Sequence, residues 1–133
     1  NIGISKDYNI FELQNALGKR DVLKANRIIN YFASNEKNYH IVPIITSLFS
    51  YFQKIILYHF SDDKSAKSIS NLLKIKPYFV SQYNQSAKNY NKKQLFNIFK
   101  YLKEYDLKSK GVNNKSTSQS NLLKELIFKI LHA

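Results

Sequence analysis

The sequence predicts an all-α protein, a compact bundle of about six to seven helices, and three observations predict it. Apolar residues recur at three- and four-residue spacing along most of the chain, while no segment shows the sustained alternation of a half-buried strand. Capping residues stand where those periodic runs begin, with glycine or proline near several of their ends. At 133 residues the chain fits one domain, long enough to bury about two-thirds of its unfolded surface without a metal or disulfide.

Two helices and the corner between them are written into Asn9 to Ile29. Asn9 caps the first, with Glu12 at capping-box spacing. Gly18 follows Leu17 where a helix end calls for a left-handed residue, and Asp21 is placed to accept backbone N–H groups of the next helix. Phe11, Leu13 and Leu17 are expected to form one apolar face, and Val22, Ala25, Ile29 and Phe32 another.

A third helix spans about His40 to Phe60, with apolar residues too widely distributed for one stripe, so it is expected to be surrounded. Pro43 falls in its first turn, where backbone donors have no intrahelical partner. Thr46, Ser47, Ser50, Gln53, Lys54 and His59 interrupt its apolar character, which favours a central helix over a membrane span. Ser61 to Asp63 end it, and a shorter helix runs to Leu73. Pro77 opens the fifth, with Phe79, Val80, Tyr83 and Ala87 inward. Asn91 and Gln94 repeat the capping-box spacing before a stripe from Leu95 to Tyr105 that ends at Gly111. Val112 to Ser120 reads as a flexible loop, and Leu122, Leu123, Leu126, Ile127, Ile130 and Leu131 form the apolar face of a last helix. Leu48, Phe52, Ile55, Phe99, Leu102 and Ile127 are expected in one core.

The net charge is +12, yet only Arg20 and Arg27 of the 21 basic residues are arginine. The abundance of Asn, Ile, Lys, Phe and Tyr is what an AT-rich genome imposes on any protein. Lysine lacks the bidentate fork of arginine, so this charge permits proximity to DNA without specifying a site. Cysteine and methionine are absent, which removes thiolate metal sites. A chain beginning at Asn1 reads as part of something longer, residues 1–8 being the end of a preceding domain or linker and 9–133 the helical domain.

An aromatic followed by E-L-x-x-A-L-G and then D-x-x-x-A at a helix start, seen here from Phe11 to Ala25, resembles the C-terminal domain of the delta subunit of bacterial DNA polymerase III. The resemblance continues through the long helix after Pro43, SISNLLKIKPYFVSQYNQSAKNY, NKKQLFNIFKYLKEYDLKSKG and the final amphipathic helix, covering roughly Ile10 to Leu131. It implies a cytoplasmic clamp-loader subunit whose helical C-terminal domain joins those of other loader subunits in a five-membered collar. The N-terminal module that opens the sliding clamp and the lid domain are not in this sequence, so residues 1–8 would end the lid. No catalytic residue carries over, and any polymerase activity would belong to the holoenzyme.

The residues themselves offer little for catalysis. His40, His59 and His132 lie far apart, Asp62 and Asp63 are adjacent at a helix boundary where they suit capping, and no phosphate-loop, zinc-protease or serine-hydrolase string occurs. No cofactor or metal is expected. A rival reading treats Ser65 to Gln85 as a helix-turn-helix, its second helix presenting Tyr78, Gln82, Gln85 and Lys88 to DNA. Against it, the turn lacks glycine and the reading helix lacks arginine. Tyr78, Tyr90 and Tyr101 are kept as exposed, base-stacking candidates, whereas Phe49, Phe52, Phe96 and Phe99 are assigned to core faces. For assembly, the wide stripe of the last helix is the first candidate interface, with Leu123 and Ile130 as test positions.

Overall fold

The computed structural model describes residues 6–114 and 116–133. Among these residues the chain forms seven α-helices and no strand: α1 Ile10–Gly18, α2 Val22–Ala33, α3 Ile41–Phe60, α4 Ala66–Leu73, α5 Val80–Asn89, α6 Lys92–Ser109 and α7 Gln119–Leu131. A 3-10 turn, Pro77–Phe79, separates α4 from α5, so Tyr78 stands on that turn rather than on the helix after it.

The caps follow the sequence. Asn9 Oδ1 accepts from Glu12 N at 3.0 Å, Asp21 Oδ1 from Lys24 N at 3.1 Å, and Ser65 and Ser118 cap α4 and α7 in the same way. The Asn91 and Gln94 box is complete, each side chain accepting from the other's backbone N–H. At α1 only half the box forms, because the Glu12 carboxylate turns instead to Lys24 Nζ at 2.7 Å. The expected loop is shorter than its polar composition implied, since α7 starts at Gln119. Asn114 organises part of it, its Oδ1 accepting from Thr117 N at 2.9 Å and its Nδ2 donating to the Lys108 carbonyl at 3.3 Å. Of the expected segment 1–8, residues 1–5 lie outside the described residues, and Tyr8 packs its ring on Tyr31 with centroids 5.3 Å apart.

Helix α3 is the axis of the bundle, packed against α1, α4, α5, α6 and α7. Nine of its twenty residues are buried, which is how an apolar helix long enough to cross a membrane is used here. Leu48, Phe52 and Ile55 meet the core that also holds Leu102 and Ile127, while Phe99 sits half-buried at its edge. Phe11 departs from expectation, 71% exposed. It lies about 160° around α1 from Leu13 at 100° per residue, so α1 buries Leu13, Ala16 and Leu17 instead.

The corner after α1 also differs from its sequence reading. Gly18 is a buried helical residue, and the left-handed position falls two residues later on Arg20, φ 54°. Glycine is required at position 18 for space: an added Cβ would overlap Tyr51 Oη and come within 2.5 Å of Ser86 Oγ.

Candidate functional site

Two surfaces combine exposed side chains in ways the core does not require. The first is a groove of about 1080 Å³ between α1, α3 and the α4–α5 connection. Helix α4 ends on Lys74, whose left-handed backbone (φ 57°) reverses the chain, and Ser70 Oγ holds the turn by donating to the Ile75 carbonyl at 2.5 Å. Pro77 then opens the 3-10 turn, closed by Phe79 N donating to the Lys76 carbonyl at 2.9 Å, and Tyr78 is left 78% exposed beside the Phe79 ring. Exposed Gln82 and Gln85 form the α5 wall, while Phe11, Gln14, Lys19 and Lys54 line the opposite side. At the floor the buried hydroxyls of Tyr51 and Ser86 are 2.9 Å apart, and burial pushes the Tyr51 phenol well above its ordinary pKa.

Three of the four residues assigned to DNA contact, Tyr78, Gln82 and Gln85, are therefore brought together, whereas Lys88 is exposed on α5 outside the lining. Tyr90 is a correction, since it is fully buried. Its extended backbone at the end of α5 turns the ring back onto Phe52, and its Oη donates to the Leu17 carbonyl at 2.5 Å. Burial pushes its phenol up to about 12 despite the opposing pull of Arg20. Tyr101 is half-buried, with Lys129 Nζ 5.5 Å from its ring centroid.

Arg20 is structural. Its guanidinium lies 4.2 Å over the Tyr90 ring, Nε donates to the Asn89 carbonyl at 2.8 Å and Nη1 to the Leu131 carbonyl at 2.6 Å. One side chain thus satisfies carbonyls at the C-terminal ends of α5 and α7, where the helix dipoles favour positive charge.

The second surface is the outer seam of α3 and α6, which run antiparallel. The Phe49 and Phe99 rings are 5.3 Å apart, and near the other end Lys92 Nζ stands 4.5 Å from the Phe60 ring centroid. Phe49 and Phe96, assigned to core faces by their place in apolar runs, are instead 43% and 52% exposed, and Phe60 is 57% exposed. The helical wheel explains the correction: Leu95, Ile98, Leu102 and Tyr105 define the inward stripe of α6, and Phe96 points well over 100° away from it. Lys92, Lys100 and Lys103 are exposed along the same flank of α6.

The two test positions on the last helix face inward. Leu123 is 1% exposed and Ile130 fully buried, because α7 is covered by α2, α6 and α3 together. Its exposed large apolar residue is Phe128, which stacks on His132 at 4.2 Å. Among the described residues no three His, Asp or Glu side chains gather as a metal site. His59 Nε2 is spent on the Tyr90 carbonyl at 2.6 Å, and Asp63 accepts from the Ser65 backbone N–H, which lowers its pKa.

Residues 7–129 match the family model of the DNA polymerase III delta subunit, C-terminal domain. The chain belongs to this family. No curated protein and no solved structure matches it. The delta C-terminal match takes in the Gly18 corner, the groove and the α3–α6 seam, so both candidate surfaces lie within the family's domain.

Sequence reasoning missed Phe11, Lys19, Lys54 and Lys74 as groove residues, and the aromatic seam as a surface. One signal was present for both. Phe11 and Phe96 fall out of register with the inward stripes of their own helices, and a large aromatic out of register calls for a separate explanation.

Proposed function

We propose that this chain is a non-catalytic assembly domain of a bacterial, cytoplasmic DNA polymerase III clamp loader, holding its subunit in the collar with other loader subunits. The α3–α6 seam carries this reading. Phe49, Phe60 and Phe96 expose aromatic surface beside a lysine-bearing flank, the pattern of an interface with an apolar centre and a polar rim. Family membership supports the clamp-loader context. Any contact with the sliding clamp belongs to the N-terminal module outside this sequence. DNA passing nearby would meet dispersed lysines, a weak and salt-sensitive attraction.

The helix-turn-helix alternative draws less support. Helix α5 carries no arginine and packs against both α1 and α3, so its exposed glutamines form a groove wall rather than the face of a protruding reading helix.

Pull-down with the cognate loader subunits tests the assembly reading. Phe96→Glu is expected to keep the helical circular-dichroism signal and to weaken association by about thirtyfold, the scale of one interface hot spot. Leu123→Glu should instead unfold the chain, because it places a charge in the core. Undiminished association of a folded Phe96→Glu chain would remove the seam as the interface.

A further inference from the structure

The flank of the α3–α6 seam carries charge of one sign. On α6, Lys92, Phe96, Lys100, Lys103 and Leu107 follow one another at spacings of four, four, three and four residues, which keeps them within about 80° around the helix and makes one exposed stripe. Lys93 adds a further exposed cation. Helix α3, the other wall, brings Phe49, Leu57 and Phe60 to the surface and contains no aspartate or glutamate. The two carboxylates of α6 are both committed, Glu104 to Lys108 at 3.0 Å and Asp106 to Lys110 at 3.1 Å. Lys92, Lys93, Lys100 and Lys103 form no ion pair among the described residues, so their charge is uncompensated beside an aromatic centre.

Resting on the collar reading of the seam, we propose the chemistry of its partner: a neighbouring protein subunit whose contact face has an apolar centre rimmed by aspartate and glutamate. An uncharged partner face would bury lysines of the rim without compensation for their lost hydration. Carboxylates opposite them supply that compensation and steer the approach of the two surfaces. A second copy of this chain is a poor occupant, since two seams meeting would set the same lysines against each other. Nucleic acid fits less well too. The Phe49 and Phe99 rings pack on each other and Lys92 stands over the Phe60 ring, so much of the seam offers ring edges and lysine stems where base stacking needs open ring faces.

Association of the 133-residue chain with its cognate loader subunits, followed by stopped-flow at low and at physiological salt, tests the inference. Reversing two rim charges, Lys100→Glu with Lys103→Glu, is expected to keep the helical circular-dichroism signal, to slow association about tenfold at low salt and to remove most of its salt dependence. Lys67→Glu with Lys124→Glu, the same change in net charge at exposed positions of α4 and α7, should cost no more than about twofold. Sedimentation should show the chain alone to be monomeric. If Phe96→Glu weakens association while the Lys100 and Lys103 reversal costs no more than its control pair, the seam remains the interface but its partner is not acidic, which overturns this inference alone. If Phe96→Glu changes nothing, the collar reading of the seam falls and this inference falls with it. A Phe96-dependent dimer of the chain, or Phe96-dependent binding of oligodeoxythymidylate at physiological salt, would also overturn it, assigning the seam to a second copy or to nucleic acid.

Discussion

Gly18 is a position where two physical effects oppose each other with similar magnitudes. Alanine in a helix is favoured over glycine by about 1 kcal/mol, so Gly18→Ala would stabilise α1 if the site were open. It is closed: the new methyl group overlaps Tyr51 Oη and crowds Ser86 Oγ, which hydrogen-bond each other in the core. Overpacking costs about 1–3 kcal/mol, and a disturbed buried hydrogen bond adds about 1 kcal/mol more. Gly18→Ala is therefore expected to destabilise the chain by about 1–3 kcal/mol net, read as a lower urea midpoint at unchanged slope. Arg20 makes a related point about charge. One of the two arginines in the chain is committed to the ends of α5 and α7, so this guanidinium closes the fold and is withdrawn from any nucleic-acid surface.

At the scale of the element, caps were legible because they are local. Asn9, Asp21 and Asn91, the caps read from the sequence, each accept from a backbone N–H three residues on, an arrangement that depends on a few consecutive residues, and Ser65 and Ser118, not read as caps there, do the same. The turn between α4 and α5 was less legible, since the usual glycine is missing and Lys74 adopts the left-handed conformation itself. That conformation costs a non-glycine residue about 1–2 kcal/mol, part of which glycine would return as greater freedom of the unfolded chain. Lys74→Gly is expected to raise stability by about 0.5–1 kcal/mol, visible as a higher Tm. A fall in Tm would mean that the Lys74 side chain contributes more packing than its exposure suggests.

Across the whole molecule, three buried tyrosine hydroxyls tie helices together and give the fold a defined alkaline limit. Tyr51 meets Ser86, Tyr90 donates to the Leu17 carbonyl, and Tyr105 donates to Glu125 Oε1 at 3.0 Å. Burial first, then the neighbouring carboxylate, pushes the Tyr105 phenol up to about 12, and burial holds Tyr90 at about 12. In the unfolded chain these groups ionise near pH 10, so between about pH 10 and 12 the unfolded state has lost protons that the folded state retains. Their contribution is fully present below pH 10, and stability falls above it, by up to about 1.4 kcal/mol per pH unit for each tyrosine. Thermal melts should show a flat Tm with respect to these groups up to about pH 10 and a steep decline beyond it. Tyr90→Phe should soften that decline while lowering stability at neutral pH through the lost bond to Leu17.

The sequence by itself determined the helical class, the order of the seven helices, the capped starts of three of them and the central place of α3. These depend on periodicity and capping, which act over one or two turns of chain. Tertiary structure alone decided which apolar residues remain outside. Leu123 and Ile130 are covered because α2, α3 and α6 converge on α7, while Phe49 and Phe96 stay exposed at the outer edge of one helix pair. It also decided that Tyr78 and Phe11, 67 positions apart by their own numbers, share one groove, whereas Tyr90 turns inward. Periodicity sets the direction of a side chain from its own helix axis; whether that direction ends in core, groove or solvent depends on helices distant in sequence.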